Sequence, residues 1–261
     1  MAQKNPSVAS IILAAGRGTR INSKDKNKVS YEFLTKPMVV YGVELFEKIS
    51  DPVIVVVGAY EDSVKEVLKD HHEVVYAFQK EQLGTGHAVK VALEKLKSNP
   101  PDLVLVGMGD HMMFYRKKTI ERLIELHKDK EAMVTFISTR YDNPEQLAWG
   151  RVEKNKQGYV VDIVEQKDAT EKQRKIKDLN AGLYCFDYKF LIKEIDKIKK
   201  SPFTNEYYLT DIILRAFKDD LKVIAMPVRF REVGIGINRQ EDLLQSQNLF
   251  KKIESFFVKP S

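Results

Sequence analysis

Val8–Leu13, Val53–Val57 and residues 74–77, 103–106 and 133–137 are nearly unbroken apolar runs of strand length. Runs so short and so continuous suit strands covered on both faces. Between them, residues 37–49, 62–69, 85–96 and 119–127 carry apolar positions three and four apart, the spacing of amphipathic helices, the first opening on a proline. Strand and helix in strict alternation predict an α/β fold, a Rossmann-like doubly wound and mostly parallel sheet. Ligands in such sheets sit beyond the carboxyl ends of the strands, which directs attention to the loops after Leu13, Ala77 and Val106.

From Trp149 the texture changes. Residues 150–153 and 159–164 read as a hairpin around 155–158, and 181–186 as a further strand; helices over 188–199 and 208–217, a strand over 223–226 and a terminal helix over Gln240–Phe257 follow. No repeat or linker interrupts the pattern. The expectation is one domain over 1–261, with a first half of about 7–140, a smaller lobe of about 141–238 and a C-terminal helix of about 239–258.

Composition narrows the class. With 43% apolar and 31% charged residues the chain is neither fibrous nor disordered, and no apolar run reaches the ~20 residues of a membrane helix. Lys4 ahead of an apolar stretch resembles a signal peptide, but the stretch is short and runs into a glycine- and arginine-bearing loop. One cysteine, Cys185, makes no intrachain disulfide and no Cys-rich zinc site, so a cytoplasmic location is expected. The net charge of +6 raises nucleic-acid binding, but the charges lie on mixed Glu/Lys helices such as 189–200, the pattern of solvated faces; no nucleic-acid or membrane partner is expected.

Three loops carry candidate chemistry. The first, Leu13-Ala14-Ala15-Gly16-Arg17-Gly18-Thr19-Arg20, puts small residues and glycines where backbone can approach a phosphate, and adds two guanidinium forks. It matches neither a dinucleotide fingerprint nor a P-loop, and alone it also reads as a glycine turn with surface arginines. Lys24, Lys26 and Lys28 extend the basic character, and at least one of them can reach a phosphate, although Lys24 and Lys26 also read as solvated loop. The second loop, 79–88, pairs an amide able to read a base edge, Gln79, with a Gly84-Thr85 turn at a helix N-terminus. His87 there, like His71, His72 and His127, reads as structural or exposed. The third, Gly107-Met108-Gly109-Asp110-His111, leaves a carboxylate at a strand end; taken alone a turn aspartate, beside phosphates it is a ready Mg²⁺ ligand.

These loops, with Gly150-Arg151-Val152, Glu165-Gln166-Lys167-Asp168-Ala169-Thr170, Asn180-Ala181-Gly182 and Glu206-Tyr207-Tyr208-Leu209-Thr210-Asp211, stand in an order that resembles the sugar-1-phosphate nucleotidyltransferases. Within them the chain looks most like the uridylyltransferase domain of the bacterial bifunctional enzyme that makes UDP-N-acetylglucosamine, over about residues 7–245. The resemblance implies that UTP and N-acetylglucosamine-1-phosphate react, with Mg²⁺, to give UDP-N-acetylglucosamine and pyrophosphate. It implies that Ala14, Ala15, Gly16 and Gln79 hold uracil, that Gly84 and Thr85 contact the nucleoside, and that Arg17 and Lys28 meet the triphosphate. It also implies that Asp110 and Asn238 hold the metal, and that Gly150, Glu165, Asn180, Tyr208 and Thr210 bind the sugar phosphate.

The chain departs from the family pattern after Asp110, where His111-Met112-Met113 replaces a small residue and proline, and at Met108 and Trp149, where tyrosines can stand. These changes bear on the acceptor more than on the reaction. No hexapeptide repeats occur, so the resemblance carries neither acetyltransferase chemistry nor the trimer that goes with it. The competing readings are a relative using another nucleotide or phosphorylated acceptor, and a protein that binds nucleotide sugars without turnover.

Overall fold

A computed structural model describes residues 6–18 and 25–257; Arg20 and Lys24, named above, lie outside the described residues. The chain runs through β1 (Val8–Leu13), β2 (Glu32–Phe33), β3 (Lys36–Pro37), α1 (Met38–Phe46), β4 (Val53–Val57), α2 (Glu61–Val67), β5 (Val74–Phe78), α3 (Thr85–Leu93), β6 (Leu103–Met108), α4 (Lys117–Asp129) and β7 (Val134–Arg140). Then come β8 (Arg151–Lys154), β9 (Val160–Val164), α5 (Glu171–Arg174), β10 (Asp178–Asp187), α6 (Tyr188–Glu194), α7 (Asp211–Lys218), β11 (Val223–Val228), α8 (Phe230–Val233) and α9 (Gln240–Phe257).

The main sheet has the order β11-β7-β10-β6-β1-β4-β5. It is mostly parallel, as the alternation predicts, with β10 antiparallel to both neighbours. Period-2 geometry explains the unbroken apolar runs, because successive side chains enter opposite cores. Ile54 and Val56 of β4 and Val104 and Val106 of β6 face the core beneath α3, α6 and α7, whereas Val53, Val55, Leu103 and Leu105 face the one beneath α1, α2 and α4. A third cluster, Phe33, Met38, Met113, Phe114 and Ile237, seats α9.

The chain leaves β1 for β4 and β5 on one side and then returns to place β6 on the other. That reversal opens a crevice between the loops leaving β1 and β6, whose last residues, Leu13 and Met108, stand in register.

Several elements differ from the sequence reading. The strand expected over 181–186 begins at Asp178, because three further residues pair with β7 beyond a bulge between Asn180 and Tyr184. The helix expected over 208–217 starts at Asp211, leaving Tyr208 and Thr210 in the turn before it. The second half of the chain also supplies β10 and β11 to the main sheet, and only the β8–β9 hairpin stands off it, held to β10 through Arg151 and Leu179. Among the described residues no helix is long and apolar enough to cross a membrane.

Candidate active site

A cleft of about 490 Å³ opens at the crevice, lined by Leu13, Ala14, Ala15, Gly16 and Arg17 from the first loop, Gln79, Gly84 and Thr85 from the second, and Lys28, Asp110 and Asn238. A second chamber of about 240 Å³ continues from it, lined by Gly150, Glu165, Asn180 and Thr210. The two share Thr85, Met108, Asp110 and Asn238 as a common wall. Tyr208 borders a side recess with Thr85 and Glu165. Residues that are 225 positions apart in sequence, Leu13 and Asn238, therefore meet in one continuous cavity.

Asn27, which the sequence reading passed over, sets the first loop. Its side-chain amide donates to the carbonyls of Ala14 (2.9 Å), Gly16 (3.0 Å) and Ala59 (2.8 Å), while its oxygen accepts from the Val29 amide and starts the turn that presents Lys28. The only sequence signal is an asparagine at the head of a short helical turn, obscured by flanking lysines.

The second loop is docked on residues 207–209: Gly86 N–H donates to the Tyr207 carbonyl (2.9 Å), Tyr207 N–H to that of Leu83 (2.7 Å), and Leu209 N–H to the Thr85 hydroxyl (3.0 Å). Gly84 takes φ +104°, and a Cβ there would lie 2.5 Å from the Tyr207 carbonyl oxygen. Gly84→Ala is therefore expected to undock the loop and raise at least tenfold the KM for the nucleotide that the resemblance implies there, as ~2 kcal/mol of backbone strain and clash would require; a KM within twofold of the parent would refute this. Gln79 is locked too. Its Nε2 donates to the Gly84 carbonyl (3.1 Å) and lies 3.0 Å from His87 Nδ1, which leaves Oε1 as the acceptor facing the cleft.

At the common wall Lys28 and Asp110 form an ion pair. Burial pushes the Asp110 carboxyl up, but the Lys28 ammonium and its hydrogen bond outweigh this and hold it below the ordinary carboxylate value. The Ile237 amide donates to the Asp110 carbonyl (3.1 Å), which is what brings Asn238 alongside. Asp242 accepts from the amides of Asn238 (2.9 Å) and Arg239 (2.7 Å).

Two departures from the family pattern meet here. The His111 and Trp149 rings lie 4.6 Å apart at 55° and wall the second chamber. Burial lowers the imidazole pKa to about 4, and His111 Nε2 has no hydrogen-bond partner among the described residues.

Beyond that wall the chamber turns acidic. The β10 bulge aims Asn180, whose amide donates to the Tyr184 hydroxyl (2.6 Å) and whose oxygen accepts from Gly182 N–H (3.1 Å). Tyr208 is held by Thr204 (2.6 Å) and Asp168 (3.5 Å), its phenol pushed up to about 12, first by burial and then by nearby acids. Glu165 accepts from Thr210 Oγ1 (3.0 Å); burial, with Asp168, Asp211 and Glu206 close by, raises its carboxyl to about 7.

A carboxyl raised from its ordinary 4.5 to about 7 binds its proton more tightly folded than unfolded, so its contribution to stability is full below pH 4.5 and lost as pH rises through 7. Glu165→Gln keeps the Thr210 bond without the ionisation. Its melting temperature is therefore expected to match the parent at low pH and exceed it increasingly from pH 5 to 8; parallel profiles would contradict this.

The model for the nucleotidyl transferase family matches residues 9–233. The chain belongs to that family. This nucleotidyl transferase is 36% identical over 245 residues to the bifunctional protein GlmU of Geotalea daltonii, covering 94% of this chain and 52% of that protein. It is 40% identical over 216 residues to GlmU of Pediococcus pentosaceus, covering 82% and 44%. The chain thus spans about half the length of these relatives. A crystal structure of UDP-glucose pyrophosphorylase complexed with UDP-glucose superposes with a TM-score of 0.74 at 20% identity, over 95% of this chain and 99% of that one, a likeness of fold.

Proposed function

We propose that this chain transfers a uridylyl group from UTP to N-acetylglucosamine-1-phosphate, forming UDP-N-acetylglucosamine and pyrophosphate. The observation that carries the reading is the pair of chambers meeting at Asp110 and Asn238, which gives a nucleotide and an acceptor one shared seam.

The ends of the cavity differ in charge. Arg17 and Lys28 line the nucleotide side and Glu165, with Asp168 close by, the acceptor side, while Lys167 and Glu206 border both the cleft and the side recess. A sugar phosphate entering this field turns its phosphate toward Lys28 and its hydroxyls toward Glu165, Asn180 and Thr210. Gln79 Oε1 accepts from the N3–H of uracil; the unprotonated N3 of cytosine is itself an acceptor and leaves Gln79 unmatched, a mismatch that sites of this kind reject strongly.

The donor set at the seam suits Mg²⁺: one carboxylate and one carboxamide are oxygen donors of the kind that hold an ion completed by phosphates and water. Asp110 and Asn238 would hold it. When bound it neutralises and orients the phosphates. The acceptor phosphate oxygen attacks the α-phosphorus while the bond to the bridging oxygen of pyrophosphate breaks, so no side-chain nucleophile is required and the chain's task is to position two anions. Arg17 and Lys28 offset charge on the leaving pyrophosphate. One phosphoanhydride is exchanged for another, which makes the reaction reversible. One cysteine makes no intrachain disulfide, in keeping with a cytoplasmic location.

The test is pyrophosphate release with Mg²⁺, UTP and N-acetylglucosamine-1-phosphate, run beside CTP, dTTP, GTP and glucose-1-phosphate. Release confined to the first pair is expected. The His111–Trp149 wall favours keeping acceptor identity as the variable: release with UTP and a different sugar phosphate would move the substrate within the class, and silence with ligand bound would favour a binding-only protein.

A further inference from the structure

A cavity of about 320 Å³ shares no lining residue with either substrate chamber. It lies between the start of α4, the short helix α8 and the far part of α9. Its floor is apolar, with the Phe114 and Phe250 rings edge to face at 5.2 Å. Its rim carries three guanidinium groups, from Arg116, Arg229 and Arg231. Arg116 is engaged by Glu254 (2.8 Å), whereas Arg229 and Arg231 form no ion pair among the described residues. Glu232, the one acidic lining residue, accepts from the Arg229 backbone amide at 3.4 Å. Like charges gathered around one concavity repel, and an anion between them reverses that cost. Planar guanidinium forks above an aromatic floor match a phosphate ester with an apolar portion.

We propose that this cavity binds a phosphorylated small molecule, its phosphate between Arg229 and Arg231 and its apolar portion on the phenylalanine floor, and that its occupancy is transmitted to the substrate cleft. Both walls lead there. Phe230, the first residue of α8 and flanked by the two arginines, lies 6.1 Å from Trp149, which contacts His111, the neighbour of Asp110. Phe114 presses on Gly234 so closely that a Cβ there would sit 2.2 Å from its ring, and the strand of chain from Gly234 continues to Asn238. A shift of α8 or of the Phe114 ring therefore moves groups that touch both residues of the seam.

The test uses the full chain and phenyl phosphate, with inorganic phosphate as the arm lacking an apolar portion. Trp149 is the sole tryptophan, so its emission reports the coupling while calorimetry reports binding. Saturable binding of phenyl phosphate, tighter than inorganic phosphate and accompanied by a change in emission, is expected in the parent and in Lys28→Ala. At least tenfold weaker binding is expected in the Arg229→Gln/Arg231→Gln variant. Because both arginines are exposed the double variant should fold; Arg231→Gln alone serves if it does not. Unchanged affinity in the arginine variants, or binding lost in Lys28→Ala, would overturn the site; binding without any change in emission would overturn its coupling. Neither readout requires turnover, so failure here leaves the proposed reaction standing.

Discussion

Asp110→Asn is expected to lower the rate of pyrophosphate release by about three orders of magnitude while leaving the fold intact, in line with the loss of a charge that acts on a transferring phosphoryl group. The substitution is close to isosteric and keeps an oxygen at the seam, so Ile237 and the Gly109 amide, which bond to backbone, are undisturbed. What is lost is the charge. Lys28 then faces a neutral amide instead of its ion-pair partner, and a cation at the seam has a weaker ligand on one side. Lys28→Ala should cost a similar factor. Because the two side chains are bonded to each other, the double variant should fall far short of the product of the single losses. Steady-state rates at saturating substrate decide this, and Asp110→Asn turnover above a tenth of the parent's would remove Asp110 from the chemistry.

The largest effect on stability is expected at Arg151, whose side chain is fully buried. Its guanidinium donates to the carbonyls of Pro144 (2.8 Å), Leu147 (3.0 Å), Trp149 and Arg174 (3.4 Å), tying the loop that leads into Gly150 to the segment before β10. Burial lowers its pKa from the usual guanidinium value, the Arg174 charge adding to this, yet the group stays charged because these carbonyls replace its water. Arg151→Ala leaves several buried carbonyls without donors and opens a void, a loss of roughly 3–5 kcal/mol. For a chain of this size that is a drop in melting temperature on the order of 10 °C. Arg151→Lys should recover only a small part, since a single ammonium cannot reach carbonyls spread around a planar fork. Thermal unfolding checks both variants, and an alanine variant melting within about 2 °C of the parent would show that the loop is held by other means.

The parallel half of the sheet was legible because burial on both faces writes an unbroken apolar run, and the family was legible because ordered loop motifs lie at strand ends. Elements set by partners far away in sequence were not. The strands at Glu32–Phe33 and Lys36–Pro37 have only two residues each and carry no period. Asp178, Leu179 and Asn180 join β10 only because β7 continues beyond the bulge, and Arg151 reads as an ordinary polar strand residue until the carbonyls it serves converge on it. The same holds in the cleft. Leu13, Gln79 and Asp110 could be picked out from strand-end loops, whereas Gly150, Glu165, Asn180, Tyr208, Thr210 and Asn238 look unremarkable singly and were reached only through the resemblance. Asn27 was missed because its task is to hold backbone at three places, which no local spacing encodes.

The antiparallel strand β10, inserted beside β6 within the sheet, has a consequence for how the chain is made. As the chain emerges from a ribosome, β1, β4, β5 and β6 can assemble, but one edge of β6 stays open until β10 is synthesised, about 70 residues after β6 ends. At ~5–20 residues per second that edge is bare for several seconds. An open apolar strand is a site for mispairing with other chains, so this nascent protein should depend on chaperone cover in the interval, and translational pauses between residues 108 and 178 should lower its soluble yield more than pauses elsewhere.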